Sequence, residues 1–238
     1  MKLGLFSDSH YCHDEIRNKT RRPSLSLEKI KSAIDTFKRE GVELCLCLGD
    51  MIDKGSTSEE PTECLEQIMQ LLRASKIPYR VLAGNHDLAV FTADCFAQRT
   101  ESPKPPCLLE TDTNRLIFLD ANYFSDMTPY NGNKRGIGDW TDCNLPAAQL
   151  AFLQNALDTA QKPCVVLLHH NLESDADPKH RVNNANEARR IMENSNKVVL
   201  VLQGHYHKGA DRIENGIRYL TLPAMCEGEE NHFLILDL

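Results

Sequence analysis

The 238-residue sequence has no apolar run long enough to span a bilayer, no excess of basic charge, no C-x-x-C motif and no internal repeat or low-complexity tract. Each absence removes a class of function. A membrane-spanning helix needs about 20 consecutive, mostly apolar residues. Met1 and Lys2 lead directly into a short apolar stretch ending at Phe6, not into the longer apolar core of a signal peptide. The formal charge of −7 opposes the basic footprint expected of a nucleic-acid binder, so nucleic acid is disfavoured as a partner. A small phosphorylated substrate stays possible, because bound metal ions can reverse the local sign of charge. The nine cysteines are odd in number and scattered. Cys45 and Cys47 fall inside an apolar strand and read as buried thiols, which fits a reducing compartment better than a disulfide framework. The expectation is a cytoplasmic protein with no membrane partner. No linker divides the chain, so residues 1–238 read as one domain, long enough to bury roughly 70–75% of the surface of its unfolded chain.

What the chain does contain is a succession of short apolar runs and amphipathic stretches. Residues 3–6, 42–48, 79–83, 165–168 and 198–202 read as buried strands. Residues 217–222 and 233–238 are strand-like, and 108–109 with 115–119 suggest a hairpin. Helical spacing appears in Leu27, Ile30, Ile34 and Phe37, which Gly41 ends, and in Leu65, Ile68, Met69 and Leu72, which Pro61 precedes. It recurs in Leu150, Leu153 and Leu157, and in Ala185, Ala188, Ile191 and Met192. Residues 88–107 lose strong periodicity, with a break at 102–106. Three polar stretches stand out. Residues 11–24 carry Arg17, Lys19, Arg21 and Arg22, either as a solvated loop or as a positive rim beside an anion site. Residues 122–144 hold Asn131-Gly132, Gly136, Gly138, Tyr123, Tyr130 and Trp140. Long loops in compact domains are often functional; a base or sugar could stack on Tyr130 or Trp140, and local packing is an equal alternative. In residues 173–184, Arg181 reads as a phosphate contact or as a solvated charge.

Five of the apolar runs end in polar clusters: Ser7-Asp8-Ser9-His10, Gly49-Asp50-Met51-Ile52-Asp53, Gly84-Asn85-His86-Asp87, His169-His170-Asn171 and Gly204-His205-Tyr206-His207. Asp8 and His10 are two residues apart, so in extended chain they point the same way; alone, such a pair is more often a solvated turn. His169 and His170 are adjacent and point to opposite faces of a strand, so spacing admits one of them without choosing. His86 titrates near neutral pH, and Asp87 could hold it in one tautomer. Asp53 reads as a supporting or turn carboxylate. Layered α/β folds place ligand sites beyond the carboxyl ends of strands. The donors gathered there would be Asp8, His10, Asp50, Asn85, His169, His205 and His207. This mixed nitrogen and oxygen set without thiolate suits Mn²⁺, Fe or Zn²⁺. Seven donors exceed the need of one ion and suit two divalent metal ions sharing a carboxylate.

In order, D-x-H, G-D-x-x-D, G-N-H-D, a strand ending in H-H, and G-H-x-H resemble the calcineurin-like metallophosphoesterase superfamily, from Asp8 to His207. The resemblance implies an α/β fold: a four-layer α-β-β-α sandwich of two mixed sheets flanked by helices. It implies that Asp8, His10 and His207 hold one ion, and Asn85, His169 and His205 the other, with Asp50 bridging. His169 is chosen over His170 on that resemblance. His86 would act outside the metal shell, with Asp87 supporting it. The implied activity is hydrolysis of a phosphodiester or diphosphate bond in a small, nucleotide-type substrate by a metal-bridging hydroxide, with inorganic phosphate as a product that could stay bound. Residues 23–53, 136–157 and 204–227 resemble the branch containing manganese-dependent ADP-ribose and CDP-alcohol diphosphatases and cyclic-nucleotide phosphodiesterases. His10 stands where that diphosphatase group often carries Gln. The alternatives are a phosphomonoesterase or protein phosphatase using the same site, or a non-catalytic scaffold, which should have lost ligands or His86.

Overall fold

A computed structural model describes residues 1–132 and 139–238; Gly136 and Gly138 of the long polar stretch lie outside them. The elements follow in order: β1 (Lys2–Phe6), a 3₁₀ turn (Pro23–Leu25), α1 (Ser26–Glu40), β2 (Leu44–Cys47), α2 (Glu60–Ser75), β3 (Tyr79–Val81), α3 (Asn85–Val90), α4 (Ala93–Thr100), β4 (Cys107–Glu110) and β5 (Arg115–Phe118). Then come α5 (Ala147–Asp158), β6 (Cys164–Leu167), α6 (Ala185–Ser195), β7 (Val198–Gln203), β8 (Ala210–Glu214), β9 (Ile217–Thr221) and β10 (Leu234–Asp237).

The strands form two mixed sheets, in the orders β10-β1-β2-β3 and β4-β5-β6-β7-β9-β8. In the first, β1, β2 and β3 are parallel and β10 joins antiparallel. In the second, β5, β6, β7 and β9 are parallel, and β4 and β8 form antiparallel edges. Successive side chains of a strand point to opposite faces, and that alternation builds the layers. Leu3, Leu5, Leu44 and Leu46 of the first sheet meet Leu116, Phe118, Val165, Leu167, Leu200 and Leu202 of the second in one core between the sheets. The intervening residues Phe6, Cys45, Cys47 and Val81 face outward onto Ile30, Ile34 and Phe37 of α1 and Leu65, Ile68 and Leu72 of α2. On the far side, Ile117, Val166 and Val201 pack on Leu153 and Leu157 of α5 and Ala188 and Met192 of α6. Helices, sheet, sheet and helices are therefore stacked. Because β1, β2, β6 and β7 are covered on both faces, they read in sequence as nearly continuous apolar runs.

Two regions differ from expectation. Residues 88–107 are more regular than their pattern suggests, since they contain part of α3 and all of α4. Both helices are too short to show a repeat, and α4 buries only Phe96 and Thr100. A local cap marks the start of α4 instead: the Thr92 hydroxyl accepts the Cys95 N–H at 3.2 Å. The missed strand β8 is an edge hairpin partner of β9. Its side chains are mostly exposed, Ile213 among them, so no alternation marks it. No described helix is long and apolar enough to cross a membrane.

Candidate metal centre

The turns that follow β1, β2, β3, β6 and β7 bring the five polar clusters to one place. Asp8 Oδ1 lies 3.6 Å from His207 Nε2, 3.8 Å from His10 Nε2 and 4.0 Å from His169 Nε2. Asp50 Oδ2 lies 3.4 Å from both His10 Nε2 and His169 Nε2, so Asp50 stands between two donor groups. His10 and His207 face each other at 3.2 Å on one side. On the other, donor atoms of His169, His205 and Asp50 lie within 4.8 Å of one another. His169, rather than His170, reaches both carboxylates.

The surrounding backbone aims each donor. Ser7 Oγ donates to Asp8 Oδ2 at 2.5 Å, as does the His205 N–H at 3.0 Å, which leaves Oδ1 to face the centre. The His86 N–H donates to Asp50 Oδ1 at 2.8 Å, leaving Oδ2 inward. His169 donates Nδ1–H to the Leu48 carbonyl at 2.8 Å, and His207 donates Nδ1–H to Glu227 at 2.7 Å. Both Nε2 lone pairs are thereby directed into the site, the usual arrangement around a metal-binding histidine. Asp8, His10, Asp50 and His205 all have positive φ, between 43° and 67°. Non-glycine residues seldom adopt that region, and where they do they often serve a site. Gly84 and Gly204 permit the close approach. A Cβ on Gly84 would lie 2.1 Å from Asp50 Oδ1, and one on Gly204 2.1 Å from Ser7 Oγ.

Asp8 Oδ1, Asn85 Oδ1, His169 Nε2 and His205 Nε2 are buried with no hydrogen-bond partner among the described residues. A buried polar atom left unpaired costs about 1–3 kcal/mol, and four in one centre, all able to donate a lone pair, fit a pair of divalent cations. The charge states agree. Burial pushes Asp8 up, but His10, His169 and His207 outweigh it and hold its carboxyl at about 2. Asp50 is likewise held well below the carboxylate range, against burial, by His169, His86 and His10. Burial pushes His10 down to about 4 and His205 well below the usual imidazole range, so both are neutral. His169 is opposed by burial but drawn up to about 9 by Asp50 and Asp8; a metal ion at Nε2 would take that proton's place. Cys226 comes within 4.8 Å of the donor atoms of His10 and His207. Burial pushes its thiol up in the metal-free centre.

His86 has a different partner from the expected one. Its Nδ1–H donates to Asp53 at 3.0 Å, and Asp53 is held in turn by Arg17 Nη1 at 3.0 Å. Asp87 does not support His86. Its carboxylate accepts the backbone N–H groups of Gly84, Met51 and Ile52 at 2.9, 3.0 and 3.1 Å. The reason is helical geometry: consecutive residues of α3 do not face each other, and Asp87 folds back over the helix N-terminus. Burial and the Asp50 charge push Asp87 up to about 7 against those three donors. Burial pushes His86 down, but Asp50 and Asp53 outweigh it and keep it above the ordinary imidazole value.

The centre opens into a cleft of about 320 Å³. Arg21 lines it beside His207, with Asn18. Trp140 and His180 line it beside His205, at ring-centroid distances of 5.5 and 5.2 Å. Trp140 is thus open to a ligand. Tyr130 is fully buried, packs on Phe124 and donates its hydroxyl to the Asp142 carbonyl, so it cannot stack on one. Arg181 binds the Ser174 carbonyl and lines no part of the cleft. The basic stretch at 17–22 places Arg21 at the site instead. Sequence reading missed Glu227, which no motif marks; a helical or strand period says nothing of a turn residue.

The chain matches the family model described as calcineurin-like phosphoesterase over residues 1–209. It is 24% identical over 209 residues to a protein of Psychrobacter arcticus described as a probable cyclic nucleotide phosphodiesterase, covering 83% of this chain and 67% of that one. A protein of Psychrobacter sp. (strain PRwf-1) with the same description is 24% identical over 194 residues, 76% of this chain and 52% of the relative. The chain therefore spans between about half and two thirds of these relatives' length. Among solved structures, a dimetal phosphatase from Danio rerio superposes with a TM-score of 0.80 at 18% identity, over 99% of this chain and 91% of that one. The Thermus thermophilus protein TT1561 superposes with a TM-score of 0.61 at 11% identity, over 94% and 90%. At such identities the superpositions speak for the fold. The family match, which runs from the first strand through the last of the five clusters, goes further: the chain belongs to the calcineurin-like phosphoesterases and is a metal-dependent phosphoester hydrolase.

Proposed function

We propose that the chain, acting as one domain over residues 1–238, hydrolyses phosphodiester or diphosphate bonds of a small, nucleotide-type substrate with a pair of divalent metal ions. Asp8, His10 and His207 would hold one ion and Asn85, His169 and His205 the other, with Asp50 shared. The observation that carries this reading is the set of four buried, unpartnered donor atoms around the shared carboxylate. The nitrogen and oxygen donors suit Mn²⁺, Fe or Zn²⁺. Such ions neutralise phosphate oxygens and bring the pKa of a water toward about 7. The chain's own residues supply the rest. His86 donates a proton to the leaving oxygen, Asp53 orients and charges it, and Arg17 fixes Asp53. Trp140 and His180 offer aromatic surface for a base. The relatives' description as probable cyclic nucleotide phosphodiesterases supports a nucleotide-type substrate. Inorganic phosphate is a product the same cleft could retain. All nine cysteines are free thiols, which supports a cytoplasmic setting.

A phosphomonoesterase or protein phosphatase on the same donors is the second reading, and the cationic Arg21 in the cleft favours it in part. A non-catalytic scaffold is disfavoured because every donor and His86 are in place. Hydrolysis of bis-p-nitrophenyl phosphate beside p-nitrophenyl phosphate with Mn²⁺ tests the choice. Faster diester turnover is expected, faster monoester turnover would move the assignment to a phosphatase, and no turnover of either would count against both proposed substrate classes.

A further inference from the structure

Among the described residues, Arg21 is the only arginine or lysine lining the cleft. Its Nη2 lies 3.5 Å from His207 Nε2, and its Nε lies 3.7 Å from Glu227 Oε1. That same carboxylate oxygen accepts the His207 Nδ1–H at 2.7 Å. One side chain thus anchors both a donor of the metal centre and the cleft's cation. Glu227 is itself held. The segment that carries it is bridged to the Arg21 backbone. The Arg22 N–H donates to the Cys226 carbonyl at 2.7 Å, and the Cys226 N–H to the Asp8 carbonyl at 3.1 Å. From α1, Lys29 Nζ donates to the carbonyls of Met225 and Gly228, at 2.8 Å each.

We propose that Arg21 grips a phosphate oxygen of the substrate and that Glu227 is the positioning residue that aims both Arg21 and His207. The proposal rests on the dimetal reading of the same centre. Once His207 Nε2 is occupied by a metal ion, it no longer accepts from the guanidinium. Arg21 stays tethered through Nε, and its Nη groups face the cleft beside that ion. A planar fork held at one edge offers paired donors to phosphate oxygens, which a lysine cannot reproduce. A carboxylate behind a metal-binding histidine typically changes metal affinity by about 10–100-fold when removed. Loss of Glu227 should therefore act on metal and phosphate together, while loss of Arg21 should act on phosphate alone.

The test uses calorimetric titration of Mn²⁺ into the full chain, and then of inorganic phosphate into the Mn²⁺-loaded protein. Arg21→Ala should take up Mn²⁺ as wild type does but bind phosphate about tenfold or more weakly, and Arg21→Lys should fall between. Glu227→Ala should weaken one of the two Mn²⁺ sites by about 10–100-fold and weaken phosphate binding at saturating Mn²⁺. Glu227→Gln keeps an acceptor for His207 but not the charge facing Arg21, so it should restore Mn²⁺ affinity more than phosphate affinity. Retention of the other Mn²⁺ site shows that each variant is folded. Unchanged phosphate affinity in Arg21→Ala, or unchanged Mn²⁺ affinity in Glu227→Ala, would overturn the proposal. Wild-type protein that takes up none of Mn²⁺, Fe²⁺ and Zn²⁺ would instead overturn the dimetal reading beneath it.

Discussion

At the scale of single residues, the proposed centre would separate groups that hold cations from one that handles a proton. His86 lines the cleft and donates its Nδ1–H to Asp53, while a donor atom of its ring lies within 4.8 Å of those of His10 and Asp50. His86→Ala should lower kcat by about 10²–10⁴-fold while elemental analysis still finds the metal content of wild type. Loss of metal in that variant would mean that His86 is a ligand. Asp53→Asn tests the pairing through pH. The carboxylates of Asp50 and Asp53 raise the His86 pKa, and a proton donor works only below its pKa. Activity should therefore fall as pH rises through that value. Removing the Asp53 charge lowers the value, so the alkaline limb of the kcat profile should move to lower pH. An unmoved limb would sever Asp53 from His86. The histidines and aspartates of the centre were legible because they follow apolar runs. The partner of His86 was not, because adjacency in sequence favoured Asp87, while helical geometry turns neighbouring side chains apart.

At the scale of elements, each donor sits where a strand gives way to a turn, and glycine makes the turns close enough. In Gly84→Ala the new Cβ would fall 2.1 Å from Asp50 Oδ1, with backbone and carboxylate both unable to retreat without moving a donor. The variant should lose stability by about 1–3 kcal/mol in denaturant melts. It should also bind less metal at both positions, since Asp50 is shared. A Gly84→Ala protein with full metal content would show that Asp50 is not so constrained. Strands β1, β2, β6 and β7 were plain in the sequence because they are buried on both faces. The short helices α3 and α4 and the exposed edge strand β8 were not. Their formation depends on caps and on pairing with β9 rather than on an apolar period of their own.

At the scale of the whole molecule, two facing sheets bring the ends of their strands to one centre, and the chain's net charge of −7 surrounds a site built to hold cations. The periodic pattern exposed the strands and helices but not the sheet orders, since β9 inserts between β7 and β8 against chain order; the two-sheet sandwich itself came from resemblance. Metal binding to the folded chain alone must stabilise it by mass action, by about 2.7 kcal/mol at a hundredfold excess over Kd. The melting temperature should therefore rise with added Mn²⁺ and fall on chelation, and a temperature indifferent to both would leave the unpaired donors unexplained. In metal-free protein, the hydrogen bond from His207 holds Glu227 at about 2, below its ordinary 4.5. A depressed carboxyl contributes stability above its unfolded value and loses it as pH falls toward the folded one. Thermal stability should decline between pH 4.5 and about 2, and less steeply in Glu227→Gln.

A pair of metal ions sharing Asp50 is read most directly by elemental analysis of wild type and Asp50→Asn, each reconstituted with Mn²⁺ or Fe²⁺ and freed of excess metal. The expected result is about two transition-metal ions per chain in wild type, and loss from both positions in Asp50→Asn. One ion or none in wild type, or full retention of both in Asp50→Asn, would contradict it.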